Sequence, residues 1–408
     1  MKLLDDNATI DDKLGFGGPA NVLFDVITGV TTRPLTVGVF GGWGSGKTSL
    51  MRMVQSRLED TKVKTVWFNA WKYDRKEVIW NALIQTIFLT MKNDPTVPKS
   101  RREAFRKRVI HTSRELAKYA AKVGTRFVPG GIVKEEDVDA LWTALGSSAD
   151  DELFAFVNRF EDEFDALVTS YVGKDNFLVV FIDDLDRCLP ENAIEVMEAL
   201  KLYLDRSECV FVIGVAPEII EEAIKQRYGD NQALSATDYL EKIIQIPFVL
   251  PRAQTERVLA LGVSSDETVE GLHRVRGMGA LVREGLGRNP RRVKRWINAL
   301  TIGLEIAGDA SSDEQVSLAK VLVIQMRFPG FYRELIRDPG LITKLEAAGS
   351  SENTWAQEGM GSHYKDQALR RFLKETSNIR TDAEWVRRWI SAAVIPAAAD
   401  ELELGSAE

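Results

Sequence analysis

Two cysteines in 408 residues, Cys188 and Cys209, exclude both a disulfide framework and a cysteine-built metal centre. Their scarcity fits a reducing compartment, and a cytoplasmic location is the expectation. Also missing is any uninterrupted apolar run of about 18 residues, the length that a membrane-crossing helix needs. The opening MKLLDDNATIDDK has no apolar core followed by a small-residue cleavage site, so it does not read as a secretory leader. Positive charge is not in excess: the chain carries −7 at pH 7, and as a whole has no electrostatic reason to coat nucleic acid or an anionic membrane. What is present is a hydrophobic share of 45% with 28% charged residues, enough for packed cores and against global disorder. The length leaves room for two or three domains.

Short apolar runs alternate with helical periodicity through the first 251 residues. Strands are expected over Thr36–Phe40, Val63–Phe68, Phe177–Ile182, Cys209–Val215 and Ile243–Leu250, the last closed by Pro251. Helices are expected over Thr48–Leu58, Val78–Leu89 and Asn192–Leu204, with Pro190 just ahead of the last. This alternation predicts a parallel α/β sheet with right-handed crossovers. A charged helical insertion, about 94–151, interrupts it. From Arg252 the chain reads as helices, divided here into a lid at 252–305 and a C-terminal helical domain at 306–408.

The segment GGWGSGKTS (Gly41, Gly42, Trp43, Gly44, Ser45, Gly46, Lys47, Thr48, Ser49) fits G-x-x-x-x-G-K-[ST] between an expected strand and an expected helix. Its glycines let backbone N–H groups turn toward phosphate oxygens, and the helix start adds partial positive charge. Lys47 is placed for the β- and γ-phosphates and the Thr48 hydroxyl for Mg2+. Phe177–Asp184 (FLVVFIDD) is an apolar strand ending in two carboxylates. Asp183 is the expected metal-binding carboxylate, and Asp184 the group that orients or deprotonates an attacking water. No Asn/Thr-Lys-x-Asp guanine-reading motif occurs, which favours ATP. A carboxylate next to the metal site is expected of ATPases whose sheet has an extra central strand.

Taken in order, GGWGSGKTSL, WFNAWKYD, VVFIDDLDRC, YLEKIIQIPFVLP and NPRRVKRWIN resemble the KAP family of P-loop NTPases, relatives of the AAA+ and STAND ATPases that include proteins linked to bacteriophage exclusion. The resemblance covers about residues 10–340. It implies a magnesium-dependent ATPase core of the AAA+-like, additional-strand type, a helical lid, and work as an oligomeric switch or motor with a protein effector or partner subunit. Members commonly carry transmembrane helices between the phosphate loop and the acidic strand; the insertion here is charged, so no membrane span is expected. Ala216 stands where the family often has an acidic residue after the fourth strand. The resemblance gives Arg291 of Asn289-Pro290-Arg291-Arg292 as a lid arginine on the nucleotide; a basic cap before the helix Val293–Leu300 is the other reading. Lys242 matches the place of an arginine finger, and equally a helix-terminal lysine. Arg187 is read either as a contact to phosphate or a neighbouring subunit, or as a partner of Asp186. Leu14 and Phe16, in LGFGGPANVL, either pack on adenine or belong to a helix cap and linker, and Trp67 and Trp71 are expected under the sheet edge.

Within the insertion, Lys99–Arg126 carries ten Lys or Arg against two Glu, a local net of +8 that leaves the remainder at −15. Apolar residues at helical spacing make it a basic amphipathic helix. Three readings are open: pairing with the acidic stretch Glu135–Asp165, which is favoured, then nucleic-acid contact, then a membrane surface. Two other functions stand beside the ATPase. A small-molecule or nucleotide kinase would need an acceptor pocket and phosphate-binding lid arginines. A nucleotide-gated scaffold with little turnover fits poorly with the retention of Lys47, Thr48, Asp183 and Asp184.

Overall fold

The computed structural model describes residues 3–74, 79–95, 97, 107, 162, 164–173, 176–203, 208–228, 236–260, 277–348, 366–379, 384 and 386–387. Apart from isolated positions, the basic and acidic stretches of the insertion lie outside them. The chain divides into two compact units. A sheet unit comprises Ala8–Ile10 and Gly17–Pro251, and a helical unit comprises Met1–Asn7, Asp11–Phe16 and Arg252–Glu408.

In the sheet unit the order is α1 (Gly17–Gly29), β1 (Leu35–Phe40), α2 (Lys47–Asp60), β2 (Lys64–Asn69), α3 (Ile79–Asn93), β3 (Leu178–Asp183), α4 (Pro190–Tyr203), β4 (Cys209–Val215), α5 (Pro217–Tyr228), α6 (Ala236–Ile243) and β5 (Ile246–Val249). The strands lie in the order β2-β3-β4-β1-β5, and every pairing is parallel. β4 therefore stands between the strand that feeds the glycine loop and the strand that ends in Asp183, the arrangement with an extra central strand. Both central strands are buried at every residue, which is why β3 and β4 read as unbroken apolar runs rather than as alternation. Leu178, Val180 and Ile182 of β3 join a core with α3, α4, α5 and α6. Pleating turns Val179, Phe181 and Asp183 to the opposite face.

The strand expected over Ile243–Leu250 is shorter. Ile243 ends α6, and only Ile246–Val249 pairs with β1. Gln245 hands the chain over by donating its N–H to the Thr36 carbonyl at 3.1 Å. As an edge strand β5 alternates in exposure and tolerates Pro247, which has no N–H to give to a further strand. Pro190 opens α4 instead of preceding it, at a position where its missing N–H costs nothing. Where the insertion leaves and rejoins the sheet, Asp94 accepts from both Lys64 Nζ and the Tyr171 hydroxyl at 2.6 Å.

The helical unit contains α7 (Thr255–Ala260), a turn over Met278–Leu286 that ends in a π-helical stretch, α8 (Pro290–Ala307), α9 (Ser312–Arg327), α10 (Pro329–Arg337), α11 (Leu341–Ala348) and α12 (Gln367–Glu375). The α8 helix starts three residues earlier than its expected apolar stretch and runs seven residues further. The Asn289 side chain caps it by accepting the Arg292 N–H at 3.1 Å, and Pro290 fills the first turn. Ser311 and Glu314 form a reciprocal capping box at the start of α9. A buried ion pair ties this unit together: Lys320 Nζ donates to Glu346 Oε1 at 2.6 Å and to the Ser377 carbonyl at 2.9 Å. Close packing also sets the residue at 285. A Cβ there would overlap a Val323 methyl and come within 2.9 Å of the Phe372 ring. Gly285→Ala should therefore destabilise the protein by about 1–3 kcal/mol through overpacking, read as a lower urea midpoint at unchanged slope. A variant as stable as the parent would refute that packing account.

Candidate functional site

The chain leaves β1 at Phe40 and enters a glycine loop that opens directly into α2. Gly41 N–H donates to the Val215 carbonyl at 3.0 Å, and Leu250 N–H to the Phe40 carbonyl at 2.8 Å, so the loop is anchored to β4 and to the end of β5. Gly44 (φ 76°) and Gly46 (φ 105°) take left-handed conformations that a side chain would strain. At Gly41 a Cβ would stand 2.7 Å from Ser45 Oγ. That hydroxyl is itself buried without a hydrogen-bond partner, as expected of a group that awaits an acceptor in the loop. Trp43 is 60% exposed at the loop's outer rim. Ser49 Oγ accepts the Thr9 N–H at 3.3 Å, so within the sheet unit Ala8–Ile10 reaches this loop. Leu14 and Phe16 belong to the helical unit, where Phe16 is buried.

Lys47 and Thr48, the first two residues of α2, face the ends of β3 and the turn beyond it. The Lys47 ammonium donates to the Gly41 carbonyl at 2.8 Å and to Asp186 Oδ2 at 3.0 Å, with the Gly42 carbonyl at 3.4 Å. Thr48 Oγ1 donates to Asp183 Oδ1 at 3.1 Å. Burial raises the Asp183 carboxyl to about 6, helped by the charges of Asp184 and Asp186 and opposed by the bond from Thr48. A bound cation would reverse that shift and hold Asp183 ionised. Gly214 of β4 leaves room beside this carboxylate: a Cβ there would lie 3.3 Å from Asp183 Oδ1. Ala216, the residue after β4, is buried and brings no polar group.

Asp184 turns the chain out of the sheet with φ 57°, a left-handed conformation that Asp tolerates better than most residues. Its Oδ2 accepts from Asn69 Nδ2 at 2.7 Å. Asn69 is in register with Asp183 across β2 and β3, and its amide oxygen caps the next turn by accepting Lys72 N–H, which leaves the amide nitrogen for Asp184. Arg187 Nε lies 2.8 Å from Asp184 Oδ1 in an ion pair, without the alignment of a hydrogen bond. The arginine is thus paired with Asp184, where one of the two readings of the sequence had paired it with Asp186. Its guanidinium sits 5.2 Å from the Trp71 ring centre, and Trp71 is 53% exposed rather than tucked under the sheet. Trp67 does pack there, stacked on Phe181 at 5.4 Å and covered by Arg52 at 3.4 Å.

Lys242 is exposed in the last turn of α6. Arg291 is in the helical unit, paired with Asp6 at 3.2 Å. Two residues whose place here reasoning from the sequence passed over belong to the site: Asp186 and Asn69. Asp186 stood in view within DDLDR, but only a tight turn after β3 returns its carboxylate to Lys47.

Among the described residues no three His, Cys, Asp or Glu side chains converge on a self-sufficient metal cage. A hydroxyl and one carboxylate, completed by phosphate oxygens and water, is instead the donor set that suits Mg2+, and Thr48 with Asp183 supplies it. No helix among the described residues is long and apolar enough to cross a membrane.

Residues 18–307 match the KAP family P-loop domain. The chain is also similar to the phage T7 exclusion protein of Escherichia coli (strain K12), 26% identical over 261 residues. That match takes in 60% of this chain and 34% of the relative, so the chain spans about a third of that protein's length. The strand order, the glycine loop and the acidic strand end agree with the family match across well over half the sequence: the chain belongs to the KAP family of P-loop NTPases.

Proposed function

We propose that the chain binds ATP with magnesium at Gly41–Thr48 and hydrolyses its terminal phosphate, as an oligomeric switch or motor in anti-phage defence. The observation that carries this reading is the convergence, inside one unit, of Lys47, the Thr48–Asp183 oxygen pair and Asp184. Lys47 would offset the charge of the β- and γ-phosphate oxygens, while Ser45 Oγ and the N–H groups of the loop donate to them. Thr48 and Asp183 would hold magnesium, whose charge offsets that developing on the transferred phosphoryl group. Asp184 would orient the attacking water and take its proton. The missing guanine-reading motif and the extra central strand favour ATP over GTP.

The finer roles follow the family. Lys242, exposed at a helix end, is the stronger candidate to reach the phosphates of a neighbouring subunit. Arg187 is the weaker one, because Asp184 and Trp71 of its own chain already engage it. Arg291 keeps the lid role that the resemblance implies. The defence role rests on the name of the similar phage exclusion protein.

The test is titration with a fluorescent ATP analogue beside magnesium-dependent phosphate release. Lys47→Ala should weaken binding by about tenfold or more, the cost of losing a charge-assisted contact. A parent protein that neither binds the analogue nor releases phosphate would end the reading.

A further inference from the structure

We propose that Asp186 determines how this site distinguishes a nucleoside triphosphate from a diphosphate, by competing with the third phosphate for Lys47. The inference rests on the nucleotide reading above.

Three acceptors surround the Lys47 ammonium, and two of them are carbonyls of the loop itself. The third, Asp186 Oδ2 at 3.0 Å, comes from the turn after β3. Both side chains are withdrawn from water, Lys47 to 8% exposed and Asp186 to 6%. A buried carboxylate at that distance holds a position that an anionic phosphate oxygen would need. The oxygens of a β-phosphate can take up the loop N–H groups and share the ammonium without evicting it. A γ-phosphate that took the ammonium on the side of Asp186 would bring further negative charge against the carboxylate. At a few ångströms inside a protein that repulsion is large enough to decide the occupant.

Displacing Asp186 has a consequence for catalysis. It is the middle residue of the short 3-10 turn Leu185–Arg187, whose first residue is fixed in the core. The third residue, Arg187, occupies Asp184 Oδ1 and lies against Trp71. Because the two residues share one turn, moving Asp186 away from Lys47 would draw the Arg187 charge off Asp184 and leave that carboxylate more basic toward water. The third phosphate thus unlocks the base that takes a proton from the water attacking it, whereas a diphosphate leaves the turn closed. Asp186 acts here through Lys47 and Arg187 and is a positioning residue.

The experiment measures the affinities of mant-ATP and mant-ADP, each with magnesium, for the whole chain and for Asp186→Asn. Removing the competitor should tighten mant-ATP roughly tenfold and mant-ADP by less than about threefold, the scale of one charge-assisted contact. Equal tightening of both would mean a general effect of charge and overturn the proposal, as would weaker mant-ATP binding, which would make Asp186 part of the metal's surroundings. Asp186→Ser is the second variant if the amide does not fold. The parent protein gives an answer without either: Trp71 emission should shift with ATP and not with ADP, and the difference should vanish in Trp71→Phe. Equal responses to both nucleotides would overturn the proposal. If the parent binds neither nucleotide, the nucleotide reading fails; if it binds both and the ratio does not move in Asp186→Asn, this inference alone fails.

Discussion

Asp184→Asn should lower ATP turnover by about 10²-fold or more while leaving nucleotide affinity within a few fold, because a positioned general base typically contributes that much to rate and little to binding. The structure gives the substitution a clean interpretation. Asn69 and Arg187 face Asp184 from two sides, at 2.7 and 2.8 Å; an isosteric amide keeps the shape and one acceptor, which can still take the Asn69 bond, while losing the pairing with Arg187 and the basicity. Lys47 and the Thr48–Asp183 pair are untouched. Single-turnover phosphate release measured beside analogue binding separates the two quantities. Turnover at the parent rate would remove Asp184 from the mechanism. A parallel loss of affinity would instead assign it to binding.

Lys320→Met should cost about 3–5 kcal/mol, the typical loss when one partner of a buried ion pair is removed. Lys320 is 0% exposed and Glu346 2%, and both Glu346 oxygens are committed: Oε1 to Lys320 and Oε2 to the Ile379 N–H at 2.7 Å. Burial pushes the Lys320 ammonium below its ordinary value, and the Glu346 charge opposes that shift. With the lysine gone, a buried carboxylate is left holding its charge with one donor. Lys320→Met combined with Glu346→Gln should recover at least half of the loss, since the amide keeps an acceptor for Ile379 and no charge remains unpaired. Urea unfolding followed by tryptophan emission measures both variants. A single substitution costing under about 1 kcal/mol, or a double variant no better than the single, would overturn this account.

The pair was not legible beforehand, because nothing in the spacing of Lys320 and Glu346 says that two charged residues on α9 and α11 end up in one core. Strands β1, β3 and β4, in contrast, could be read within a residue or two, since a strand buried on both faces must be apolar throughout, and β2 could be read as closely from its β-branched and aromatic run although it is only half-buried. The glycine loop could be read as well, because its spacing serves backbone geometry close at hand. So could Asp183 and Asp184, which end an apolar strand. β5 was drawn too long because the apolar residues that close α6 continue into an edge strand without a break in composition.

The sequence by itself determined the parallel α/β class, the glycine loop between β1 and α2, and the two carboxylates at the end of β3. These depend on local periodicity and on residues adjacent in the chain. Only the tertiary structure decided what meets at those carboxylates. Pairing of β2 with β3 brings Asn69 across 115 positions to Asp184, and the turn after β3 brings Asp186 across 139 positions to Lys47. Strand order and turn geometry fix such contacts, and no local pattern in a sequence encodes which distant partner a polar side chain will find.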